Sequence, residues 1–81
     1  MNTNMKFENL ALLKEWVMTG RKDNHKHIII VYDLVDKEYF PHYIDHDEVD
    51  FEWSKFISES KQKPIISFNL NKHIKGIDFN V

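Results

Sequence analysis

The sequence predicts a small α+β domain in the order α-β-β-α-β, with a short final strand, built as an antiparallel sheet with two helices on one face. Three observations carry that prediction. A β-branched run, Ile28-Ile29-Ile30-Val31, is followed within a few residues by an aromatic stretch, Tyr39-Phe40-Pro41-His42-Tyr43-Ile44. Segments with apolar residues at helical spacing flank this pair on both sides. The chain has 81 residues with two Gly, two Pro and no Cys, which suits one domain held by its core and rules out disulfides and thiol chemistry.

The first helix is expected over residues 8–19. Leu10, Leu13 and Val17 fall at i, i+3 and i+7, and Leu12 and Trp16 widen the stripe. Asn9 is the expected N-cap, Phe7 a staple residue before it, and Gly20 the left-handed residue that ends the helix. The first strand follows over residues 27–32, and its unbroken apolar character marks a central strand covered on both sides. The second runs over residues 39–44. Pro41 cannot donate a ladder hydrogen bond, which puts this strand at an edge, and the short link makes the pair antiparallel.

The second helix is expected over residues 47–60. Asp45 and Glu48 have capping-box spacing, and the acidic residues near its start favour the positive end of the helix dipole. Val49, Trp53, Phe56, Ile57 and Ser60 form one face, and Phe51 lies off it, exposed. Pro64 forbids further helix. The third strand is expected over residues 65–70, with Ile66, Phe68 and Leu70 on one side. Ile77, Phe79 and Val81 alternate after a Lys75-Gly76 turn as a short fourth strand, and residues 1–6 read as a flexible end.

Charge is distributed in blocks. Residues 1–32 carry five basic and three acidic side chains, residues 33–60 two and nine, and residues 61–81 four and one. Such polarity favours a protein surface as partner over nucleic acid, which needs a basic field. No apolar run approaches the roughly 20 residues of a membrane span, and the N-terminus lacks a signal-peptide core. A cytoplasmic location is therefore expected. Ten Lys against one Arg, nine Ile, seven Asn and one Ala are residues of AT-rich codons, pointing to an AT-rich bacterium, phage or mobile element.

Five His invite a metal reading. His25 and His27 are expected on one face of an extended segment, with His42 and His46 straddling the end of the second strand. Neither a His-Glu-x-x-His helix nor Cys-containing zinc spacing is present, so no metal or other cofactor is assigned. Asp33, Asp36, Glu38, Asp45 and Asp47 gather near the hairpin and its exit, where Asp serves local turn hydrogen bonds. No phosphate-cradling Gly-rich loop or nucleophile elbow accompanies them, and no catalytic residue is assigned.

Tyr32, Tyr39, His42 and Tyr43 form a candidate ligand or oligomer face. On the strand, Tyr39, Pro41 and Tyr43 point one way and Phe40, His42 and Ile44 the other; one side packs on the helices and the other needs cover. A second copy of the chain is the expected cover, and a small ligand or nucleotide is the alternative occupant.

Residues 27–33 together with Asp36-Lys37-Glu38-Tyr39-Phe40-Pro41-His42-Tyr43-Ile44 resemble small uncharacterised bacterial and phage proteins. Those read as a hydrophobic strand ending in Asp, then acidic-Tyr-Pro-x-Tyr-Val. The similarity spans roughly residues 9–70, with Trp16-Val17 fitting upstream. Phe40 is inserted between Tyr39 and Pro41, and Leu34-Val35 replaces a Thr-Phe pair. The resemblance implies a small α+β domain and no activity. The expected function is non-enzymatic binding of a host or self protein, in the manner of a host-modulating, anti-defence protein. Asp45, Asp47, Glu48, Asp50, Phe51 and Glu52 are the expected partner-binding residues, because an acidic turn beside an exposed aromatic suits a basic surface.

Overall fold

The computed structural model describes residues 9–74. The order is α1 (Leu10–Lys22), β1 (His27–Asp33), β2 (Glu38–Ile44), α2 (Val49–Ser58) and β3 (Gln62–Asn69). The three strands form one antiparallel sheet in the order β2-β1-β3. The α+β class, the α-β-β-α-β order and the central β1 flanked by a Pro-bearing edge β2 agree with the sequence. The staple at Phe7, the flexible end at 1–6 and the strand after Gly76 lie outside the described residues.

The helices do not share one face of the sheet. Ile28 and Ile30 pack with Leu13, Val17 and Leu70, under α1. Ile29 and Val31 pack with Ile44 and with Val49, Trp53 and Phe56 of α2, on the opposite side. The reason is in the run itself: successive strand residues point to opposite faces, so burying four in a row requires cover on both. All four are 0% exposed. The open sheet face expected to need a second copy is therefore occupied by α2.

Asn9 caps α1 as expected, its Oδ1 accepting the Leu12 N–H at 3.0 Å. Gly20 does not end the helix, which continues to Lys22, and the left-handed residue after it is Asn24, at φ 63°. Gly20 is instead a point of close approach. A β-carbon there would lie 2.7 Å from Tyr43 Cε1 and 2.8 Å from Leu70 Cδ1. The same contact is tied by the Tyr43 hydroxyl, which donates to the Trp16 carbonyl at 2.6 Å. Arg21, the single arginine, donates to the carbonyls of Leu70 (2.8 Å) and Lys72 (3.0 Å) and so fastens α1 to the end of β3.

The β1–β2 connection is a four-residue turn. Asp33 accepts the N–H groups of Val35 (2.8 Å) and Asp36 (2.9 Å), and Lys37 takes the left-handed conformation at φ 57°. Those two bonds hold the Asp33 carboxyl below the usual range, the Asp36 bond first. β3 begins three residues earlier than expected and contains Pro64. The pairing passes from Ile30↔Ile66 to Val31↔Pro64, so Ile65 is the extra residue of a bulge, a setting on an edge strand that tolerates proline. Ile57 is 66% exposed, so the packed face of α2 is Val49, Trp53 and Phe56, without Ile57 and Ser60.

Candidate functional site

α2 starts at the base of the hairpin, where the chain leaves β2 and crosses over the sheet. The anticipated capping box does not form. Glu48 occupies the N-cap position without a side-chain cap bond, and Asp45 turns away to pair with His25. In its place His46 Nδ1 accepts the Glu48 N–H at 3.0 Å. That acceptor role leaves the His46 proton on Nε2, from which it donates to Glu52 Oε2 at 3.1 Å.

Glu52 is the hub of this corner. Its other oxygen accepts from His42 Nε2 at 3.1 Å, and Lys55 Nζ lies 3.8 Å from Oε2. The bonds to His42 and then His46 hold its carboxyl below the ordinary range against the opposing cost of burial. His42 also meets the edge of Phe56, with centroids 5.0 Å apart. Asp47 is similarly held low, first by His27, whose Nε2 is 3.1 Å away, and then by Lys26.

Four of the histidines thus have carboxylate partners; His42 and His46 meet at Glu52, but His25 and His27 each pair elsewhere, so the four do not converge. His25 stacks on Tyr43, centroids 4.7 Å apart, on the α1 side of the sheet, whereas His27 reaches Asp47 beside α2. The expectation that His25 and His27 share one face fails because His25 precedes the strand and is not bound by its alternation. Among the described residues no group of three His or acidic side chains is placed to hold a metal ion. Asp33, Asp36 and Glu38 sit at the tip of the hairpin, Asp45 and Asp47 beyond its base. Glu38 opens β2, and the six remaining residues of that strand separate the two groups by about 20 Å of extended chain.

The acidic turn divides into two kinds of residue. The ion pairs use Asp45, Asp47 and Glu52, and leave the carboxylates of Glu48 and Asp50 facing solvent. Asp47, Glu48, Asp50 and Phe51 together line a shallow concavity of about 420 Å³. Phe51 is 58% exposed, as its off-face position predicts, and Lys55 Nζ sits 4.6 Å from its ring centroid. Four of the six residues expected to bind a partner therefore share one surface, while Asp45 and Glu52 serve internal contacts.

The aromatic candidates are split by the sheet. Tyr39 and Tyr43 pack against the core under α1, and Tyr32 meets Tyr39 at 4.8 Å. His42 lies on the other side, against α2. The four side chains do not form one binding face. The Glu52 hub was not legible in the sequence, because His42, His46 and Glu52 follow no helical or strand period; the chain reversal after Ile44 brings them together.

Among the described residues no helix is long and apolar enough to cross a membrane. No protein-family model matches the chain, and comparison with curated proteins and with solved structures found no match either.

Proposed function

We propose that this chain is a non-enzymatic protein-binding module, encoded by a phage or mobile element, that acts in the cytoplasm by sterically occluding a basic surface of a host protein. One observation carries the reading: the shallow concavity at the start of α2 sets exposed Phe51 beside Glu48 and Asp50, whose carboxylates the ion pairs among the described residues leave facing solvent. An aromatic anchor with Lys55 on its ring and solvent-facing carboxylates on its other side suits a partner that presents Lys or Arg beside an apolar spot. The charges steer encounter, and desolvation of the ring supplies affinity. The Lys-rich, Ile- and Asn-rich composition supports the assigned origin.

The test is affinity capture from a bacterial lysate with the wild-type chain, Glu48→Lys/Asp50→Lys and Phe51→Ala as parallel baits, read by mass spectrometry. These positions are exposed, so the variants are expected to keep their far-UV circular dichroism. A protein retained by the wild type and lost from both variants supports the reading. Identical retention on all three baits, or retention on none, overturns it.

A further inference from the structure

The exposed side of α1 carries a shallow groove of about 540 Å³ lined by Ala11, Lys14, Glu15, Met18, Thr19 and Lys22. Met18 forms its apolar centre and is 54% exposed. Lys22 and Glu15 lie on either side of Met18 along the helix, seven residues apart, a rise of about 10.5 Å. On α2 the exposed stripe Glu48, Phe51, Lys55 has the same outer spacing of seven residues, again with an apolar side chain between opposite charges. Laid antiparallel, the two stripes match in length and in sign. Glu48 meets Lys22, Phe51 meets Met18, and Lys55 meets Glu15. A thioether against an aromatic ring is a favourable central contact.

We infer that the chain self-associates head to tail, with the Glu48–Phe51–Lys55 stripe of one copy seated in the α1 groove of the next. The two surfaces lie on opposite faces of the sheet, because α1 and α2 cover opposite sides of β1. A pair of copies therefore cannot satisfy both surfaces at once, and association extends into chains or a ring instead of stopping at a two-fold dimer. Each contact is small, so assembly is weak and depends on concentration and salt. The contact uses the α2 surface assigned above to a foreign partner, and so rests on that surface being a binding site; partner and second copy then compete for it.

Sedimentation velocity of the purified full chain decides the matter, over protein concentrations from about 10 µM to about 1 mM. The wild type is expected to rise from its 9.8 kDa monomer mass past that of a dimer. Lys22→Glu alone and Glu48→Lys alone place like charges across the contact and stay monomeric. The double variant Lys22→Glu/Glu48→Lys restores opposite charges and associates again, as does an equimolar mixture of the two single variants. A wild type that remains monomeric, a mass that plateaus at a dimer, or single variants that associate like the wild type each overturn the inference. The fate of the functional reading is separately visible. Lys22→Glu keeps the acidic surface intact, so it still captures a basic partner if that reading holds, whatever becomes of self-association.

Discussion

Gly20 and Lys37 each occupy a position that suits a different residue type from the one a local rule would choose. At Gly20 the requirement is space. Its missing β-carbon lets α1 come down onto Tyr43 and Leu70, both closer than 3 Å to where that atom would sit. Gly20→Ala gains about 1 kcal/mol in helix propensity but must displace a ring and a buried leucine, an overpacking cost of about 1–3 kcal/mol. The expected outcome is a lower Tm by thermal unfolding, by about 5 °C; an unchanged or higher Tm would show that the contact yields freely. At Lys37 the requirement is conformational, since φ 57° is costly for a residue with a β-carbon. Lys37→Gly is expected to stabilise by about 0.5–1 kcal/mol, raising Tm by about 3–6 °C, after the entropy that glycine adds to the unfolded chain is discounted. A fall in Tm would mean that the Lys37 side chain contributes more than its backbone strain costs.

At the scale of the element, α2 is a short helix fixed from both ends of its first two turns. Apolar residues press one side onto Ile29 and Val31, and Glu52 ties another to the end of β2 through His42 and His46. The Glu52 carboxyl is held below its ordinary value of 4.5 in the folded chain. The unfolded chain therefore takes up that proton at higher pH, and the stabilisation is fully present above 4.5 and lost as pH falls through the lower, folded-state value. Asp47 and Asp33 act in the same direction from 3.8. Urea midpoints measured from about pH 7 down to about pH 3 are expected to fall along this acid limb. Glu52→Gln should lower the midpoint at neutral pH and flatten the limb. An identical pH profile in the variant would show that the hub contributes nothing to stability. The exposed Glu48 and Phe51 side chains lie clear of this anchorage, so variants there should leave the acid limb unchanged, whereas Lys55, 3.8 Å from Glu52 Oε2, helps to hold that carboxyl low.

At the scale of the molecule, two hydrophobic clusters share one strand. Neither can lose its side of β1 without withdrawing a wall from the other, because Ile28 to Val31 alternate between them. Each cluster also contains one of the two tryptophans, Trp16 under α1 and Trp53 under α2. Trp16→Phe and Trp53→Phe thus leave single-tryptophan chains that report the opposite cores. Each is expected to show the same urea midpoint by fluorescence as by far-UV circular dichroism of that variant, as one cooperative unit requires. A fluorescence midpoint well below the circular dichroism midpoint in either variant would mean that its core melts first. Ile29→Ala and Ile30→Ala, opposite-facing neighbours in that strand, should each cost about 2–5 kcal/mol by equilibrium unfolding.

What the amino-acid sequence determined by itself is what depends on short-range pattern. Helical periodicity around Leu13 and Val17, β-branching at Ile28 to Val31, and Pro41 at an edge are consequences of a few neighbouring residues, and element type and order follow from them. The exposure of Phe51 follows too, from its angle on α2. Tertiary structure decided the features that need distant segments in contact. Whether the helices lie on one side of the sheet or two is settled by where each helix finds apolar surface, and the alternation within β1 offers it on both. Whether Gly20 ends a helix or admits a neighbour depends on Tyr43 and Leu70, and which histidine each of Asp45 and Glu52 meets depends on the reversal after Ile44. The acidic turn was legible as a charge run. Its division into internal ties at Asp45, Asp47 and Glu52 and outward groups at Glu48 and Asp50 was not, since a carboxylate is free or neutralised only by what the fold sets within a few ångströms of it.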